Sequence, residues 1–248
     1  MDRGIDVNLR SAPQMLEYVS IVERIARDAP GSILDWGCGF GQVSDLLQQA
    51  GLNVTSFDYY GDDAPDALRP LPRFPNVRAH LSSDPRGLPY ADASFDAVLS
   101  CGVLEHVLDP DASLDELARV LRPGGTLYVY KLPNRYSYLE WLARRLGMYY
   151  HGTDPNDRLY TQAGARELLA RHGYEVRELG LANMLPLTLD MALAQRPPTA
   201  RRIWAANCAL QRVPGLNRFA TNVQLVATRA GWAAPGAHTV VSDARSHV

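Results

Sequence analysis

Apolar positions along the chain follow two alternating spacings. Short segments with clustered apolar and β-branched residues occur near 33–35, 53–57, 76–81, 95–100, 126–132, 174–181 and 221–229. Between them, apolar residues recur three or four apart. Examples are Met15, Val19, Val22, Ile25 and Ala26, then Val43, Leu46 and Leu47, then Leu114, Leu117 and Leu121. The runs 136–146 and 162–172 continue the same pattern. The first spacing predicts strands inside a sheet, and the second predicts helices with one apolar face. Pro30-Gly31 stops the first helix, Thr161 is placed to cap the helix at 162–172, and Gly173 ends that helix. Strand and helix in alternation predict an α/β fold, with a mainly parallel sheet and right-handed crossovers.

The alternation breaks once. After the sixth strand a typical chain returns directly as the seventh, but here residues 185–218 intervene. Ile203, Ala206, Leu210 and Val213 share one helical face there, and Pro197-Pro198 predicts a break into two helices. This insertion holds Arg196, Arg201, Arg202, Arg212 and Arg218 against one acid, Asp190. It predicts packing helices, with contact to a lipid or anionic substrate as the functional alternative.

Length and composition fit one domain over 1–231, with the insertion as a cap. Residues 1–10 read as a loose lead-in and 232–248 as a disordered tail. The net charge of −2 gives no general pull toward nucleic acid. Cys38, Cys101 and Cys208 are widely spaced and make no C-x-x-C, against a disulfide framework or a zinc site. No signal peptide and no bilayer-length apolar run is expected, so the cytoplasm is the predicted compartment.

The candidate chemistry begins at the end of the first strand. Asp35 is followed by Gly37, Gly39 and Gly41, and then a helix. Glycines there let a ligand approach the backbone, and the helix start turns free N–H groups toward it. A dinucleotide fingerprint needs a third glycine where Gln42 stands. The G-x-G-x-G spacing with its preceding acid instead resembles motif I of the class I S-adenosylmethionine-dependent methyltransferases. Residues 82–107, SSDPRGLPYADASFDAVLSCGVLEHV, and the run LARVLRPGGTLYV resemble the ubiquinone-biosynthesis-type members of that family.

The resemblance implies a seven-stranded Rossmann-like sheet in the order 3-2-1-4-5-7-6, with the last strand antiparallel. It implies S-adenosylmethionine as cofactor, with Asp35 near its ammonium end and the three glycines beneath it. Asp58 would accept the ribose hydroxyls, Asp84 would meet the adenine amino group, and Cys101 would pack beside the cofactor. Pro85 removes a backbone N–H that the family often turns to the adenine. Tyr18 has two readings, a surface aromatic or a residue facing the cofactor.

Some relatives hold a metal with E-x-x-E-H. Here Gly102 takes the first position and only Glu105 and His106 remain, so no metal is expected. His106 is instead a candidate general base or an inert histidine at a helix start. His151 and Tyr160, in the loop after the fifth strand, are candidates for substrate contact or proton transfer, or anchors of that loop.

The expected reaction is methyl transfer to a small-molecule hydroxyl on a sugar, lipid or secondary metabolite. The alternatives are a nicotinamide-dependent oxidoreductase and a catalytically degenerate S-adenosylmethionine binder.

Overall fold

A computed structural model describes residues 11–59, 74–84, 86–147, 157–189 and 191–231. The elements are α1 (Ala12–Asp28), β1 (Ile33–Trp36), α2 (Gln42–Gln49), β2 (Val54–Tyr59), β3 (Ala79–Ser82) and β4 (Phe95–Cys101). They continue with α3 (Pro110–Val120), β5 (Leu121–Pro133), α4 (Tyr138–Arg145), α5 (Gln162–Arg171), β6 (Tyr174–Ala182), α6 (Pro197–Leu210) and β7 (Asn222–Arg229).

The seven strands lie in the order β3-β2-β1-β4-β5-β7-β6. β1 pairs in parallel with β2 and β4, and β7 runs antiparallel between β5 and β6. The expected architecture and strand order are both found. Side-chain caps start three helices: Asp109 accepts from Ala112 N, Ser137 from Glu140 N and Thr161 from Gly164 N.

Two apolar layers hold the helices. Leu114, Leu117, Leu168 and Leu169 join α3 and α5 to one face of the sheet, and Ile21, Ile25, Val43 and Leu47 join α1 and α2 to the other. Ile25, Leu47, Leu114 and Leu169 are fully buried, and such side chains contribute about 2 kcal/mol each. β1 and β4 end side by side, with Trp36 opposite Ser100, and Trp36 also faces Phe57 of β2. That shared carboxyl edge is where an open α/β sheet takes its ligand.

The insertion differs from its sequence pattern. Pro197 and Pro198 do not split a helix; they begin α6, where a missing N–H costs nothing. The buried positions of α6 are Ala200 and Asn207, whereas Ala206 is exposed. Asn207 replaces the expected apolar contact because it has hydrogen bonds to make. Its Oδ1 accepts Met184 N at 2.7 Å and Leu185 N at 3.0 Å, and its Nδ2 donates to Asn183 Oδ1 at 3.2 Å.

Candidate active site

The turn after β1 is built by positive φ angles at Gly37 (76°), Gly39 (54°) and Gly41 (85°). A Cβ on Gly37 would stand 2.4 Å from Val103 Cγ2, so that glycine serves packing. A Cβ on Gly39 would meet nothing within 4 Å. The space above Gly39 is therefore open, as a ligand passing over the turn requires.

Two cavities meet over this turn, sharing Gly37, Gly39, Phe40, Gly102 and His106. The first, about 420 Å³, is lined by Trp36, Phe57, Asp58, Tyr59, Asp84 and Val103 among others. The second, about 530 Å³, takes Asp35, Cys101, Glu105 and Lys131 with Glu17 and Tyr18 of α1. Every expected cofactor residue except Gly41 lines one or both; Gly41 caps the start of α2 instead.

Asp35 is buried and accepts the Ser44 hydroxyl at 2.5 Å. Burial pushes its pKa up to about 6, against the partial relief of that hydrogen bond. Asp58 accepts the Gly39 N–H at 2.5 Å and is likewise pushed up to about 6 by burial. Two desolvated carboxylates, Asp58 in the first cavity and Asp35 in the second, flank the glycine turn and make it cation-seeking. Asp84 is exposed, and the Arg86 and Gly87 N–H groups hold its carboxyl below the usual range. Cys101 lines the second cavity, where burial raises its thiol pKa, so it is a packing wall and not a thiolate nucleophile.

His106 stands at the junction of the cavities with its side chain 53% exposed. Its Nδ1 lies 2.6 Å from Asp157 Oδ1. An ionised carboxylate only accepts, so Nδ1 carries the hydrogen and Nε2 of the neutral ring keeps its lone pair. Nε2 is 3.7 Å from Glu105 Oε1. Glu105 is buried, its Oε2 has no hydrogen-bond partner among the described residues, and burial raises its pKa to about 7.

His151 lies outside the described residues, as does Pro85. Tyr160 is buried and donates to Leu104 O at 3.3 Å, which makes it the anchor of its loop. Among the described residues no group of three His, Cys, Asp or Glu side chains is placed to hold a metal.

The sequence pattern misses much of the second cavity. Of the two readings of Tyr18, the surface one is set aside: the residue is 7% exposed and lines the cavity. Its hydroxyl accepts from Gln14 Nε2 at 2.8 Å and from Lys131 Nζ at 3.3 Å. Lys131 sits at φ 61°, where the pairing of β5 with β7 shifts register between Val129 and Leu132. Such an irregularity re-aims a strand side chain, here into the cavity. Glu17 Oε2 lies 3.7 Å from Lys131 Nζ, and Glu17 Oε1 accepts Asn183 Nδ2 at 2.5 Å. A positive φ at a lysine in a strand leaves no sequence signal. Asp157 and Asn183 were hidden because their partners are 51 and 166 positions away.

Residues 34–129 match the family model described as a methyltransferase domain. The Xylella fastidiosa (strain 9a5c) ubiquinone biosynthesis O-methyltransferase is 34% identical over 123 residues, 47% of each chain. A probable S-adenosylmethionine-dependent methyltransferase of Mycolicibacterium smegmatis is 30% identical over 159 residues, 64% of this chain and 58% of that one. The chain thus spans about half the length of the curated relatives it matches.

Among solved structures, a Thermotoga maritima methyltransferase described as a possible histamine N-methyltransferase superposes with TM-score 0.62 at 17% identity, covering 92% of this chain and 95% of the other. The Burkholderia thailandensis 1,6-didemethyltoxoflavin-N1-methyltransferase, solved with its acceptor and S-adenosylhomocysteine, gives 0.55 at 18%, covering 92% and 83%. At these identities the likeness is one of fold. The open glycine turn and the two desolvated carboxylates fit a cationic nucleoside cofactor, and the family match decides against the nicotinamide alternative. Residues 34–129 thus match a methyltransferase domain, and the sheet around them has the strand order of the class I S-adenosylmethionine-dependent methyltransferase fold.

Proposed function

We propose that the protein transfers a methyl group to a hydroxyl of a small molecule, with His106 as general base and Asp157 positioning it. The observation that carries this reading is the His106–Asp157 pair at the junction of the two cavities. The first cavity takes the nucleoside, with Asp58 toward the ribose and Asp84 toward the adenine amino group. Asp35 and the glycine turn take the amino-acid end, and the acceptor enters through the rest of the second cavity. Bound S-adenosylmethionine supplies a methyl made electrophilic by its cationic sulfur. The chain's work is to align the acceptor oxygen and remove its proton. Nε2 of His106 takes that proton, and Asp157 stabilises the imidazolium that results.

Oxygen as acceptor atom is supported by this base and by the names of the ubiquinone-biosynthesis relatives. The polar lining of the second cavity by Gln14, Glu17, Asn183 and Thr188 supports a polar face on the acceptor. Leu185 and Leu187, at the start of the insertion, support an apolar portion, as on a lipid or an aromatic metabolite. Three free cysteines support a reducing compartment such as the cytoplasm.

Labelled-methyl transfer from S-adenosylmethionine into a panel of phenols, sugars and lipid hydroxyls tests the reading. Turnover that falls about 100-fold in His106→Gln, with S-adenosylhomocysteine affinity kept, supports it. Tight S-adenosylhomocysteine binding without turnover on any acceptor favours the degenerate binder instead.

A further inference from the structure

Helix α4 is turned inside out. Its one buried residue is Glu140, which accepts Arg144 Nε at 2.9 Å. Trp141, Leu142 and Leu146 stand 63%, 40% and 62% exposed. An ordinary surface helix does the reverse, with its apolar stripe against the core. Tyr136, just before the helix, is 61% exposed, and Phe219, from the short turn Asn217–Phe219, lines the same groove. Asn134 locks the two segments together, because its Nδ2 donates to Arg218 O at 2.9 Å and Ala220 O at 2.7 Å.

The charge on this patch has one sign. Residues 133–147 and 211–221 contain Arg135, Arg144, Arg145, Arg212 and Arg218, with Glu140 as their single acid, in a chain of net charge −2. Arg145 lies over the Trp141 ring at 5.8 Å and Arg218 over the Phe219 ring at 4.6 Å. Exposed aromatic rings interleaved with arginines, with the one carboxylate of these two segments buried, match the headgroup layer of an anionic bilayer. The rings enter the interface and the guanidinium groups meet lipid phosphates. A contiguous apolar patch of this kind on a folded surface marks an interaction site.

Its place in the fold adds a reason. The patch lies at the carboxyl edge of the sheet, and Thr221 and Asn222, directly after Phe219 and Ala220, line the second cavity. We propose that the surface formed by Tyr136, Trp141, Leu146, Phe219 and their arginines docks the protein on an anionic lipid bilayer, next to the acceptor cavity.

Co-sedimentation of the full chain with phosphatidylcholine vesicles, with and without phosphatidylglycerol, tests this directly. The bound fraction is expected to be at least tenfold higher on the anionic vesicles and to fall as salt is raised. Arg135→Glu and Arg145→Glu each lower it about fivefold or more, and Trp141→Ser lowers it further. Arg177→Glu on β6 leaves it unchanged. Retained S-adenosylhomocysteine affinity shows that each variant is folded, and Leu146→Ser replaces any that is not. Equal or absent binding to the two vesicle types overturns the proposal, as does wild-type binding by the patch variants. A concentration-dependent dimer that Trp141→Ser dissolves would assign the surface to a second copy of the chain and equally overturn it.

Discussion

Asn207 and Glu17 both hold the Asn183 amide: Asn207 Nδ2 donates to Asn183 Oδ1 at 3.2 Å, and Asn183 Nδ2 donates to Glu17 Oε1 at 2.5 Å. The inserted helix is thereby tied to the wall of the second cavity through two amides. Asn207→Leu leaves Met184 N and Leu185 N without their acceptor, and a lost buried hydrogen bond costs about 1–3 kcal/mol for each group stranded. The expected result is a lower urea midpoint together with a raised acceptor KM. S-adenosylhomocysteine affinity changes little, because Asp35 and Asp58 lie on other elements. Wild-type stability in this variant would contradict the assignment.

The two glycines of the turn fail for different reasons. Gly37→Ala forces a Cβ to within 2.4 Å of Val103 and strains a backbone at φ 76°, so melting temperature and binding both fall. Gly39→Ala meets no protein atom. Its stability cost is the left-handed backbone alone, about 1 kcal/mol, while cofactor affinity drops sharply. Calorimetric titration with S-adenosylhomocysteine beside thermal melts separates the two effects. Equal losses of affinity and stability in both variants would show that the space over Gly39 holds no ligand.

Asp35 carries a stability cost that its function explains. Its folded pKa is raised to about 6 by burial, against about 4 in an unfolded chain. Between those values the folded protein binds more protons than the unfolded chain, so stability falls as pH rises through the window. This contribution is present below about pH 4 and gone above about pH 6. Asp35→Asn should therefore be more stable than the parent at pH 7.5 in the ligand-free state, by about 2 kcal/mol, and the gap should shrink at pH 5. The same variant should bind S-adenosylhomocysteine poorly. Urea unfolding at the two pH values decides, and a variant less stable at both would refute it.

Asp157→Asn tests the positioning role on the far side of the histidine. An amide at Asp157 no longer stabilises an imidazolium, so kcat should fall about tenfold with S-adenosylhomocysteine affinity unchanged. Asp157→Glu should recover part of the loss. A KM effect without a kcat effect would make Asp157 a contact of the acceptor.

Much of this was legible in the chain. Short apolar segments and a period near 3.6 located the strands and helices, and the spacing of Asp35, Gly37, Gly39 and Gly41 located the open glycine turn, because those features act on near neighbours. What stayed hidden depends on distant partners. Asn207 breaks an apolar helical face and reads as a defect until Asn183 and the Met184 and Leu185 N–H groups stand beside it. Tyr18 sits on an amphipathic helix whose pattern cannot distinguish a core position from a cavity wall. α4 carries an apolar stripe that periodicity assigns to the interior, whereas the structure turns it outward.

Lys131 is the only lysine of the chain, and its amine stands inside the second cavity between Glu17 and Tyr18. The molecule thus has no side-chain amine on its outer surface. Reagents that acylate or cross-link amines will find the α-amino group and one shielded target. The extent of modification at that target becomes a gauge of cavity occupancy, readable by mass without any knowledge of the acceptor.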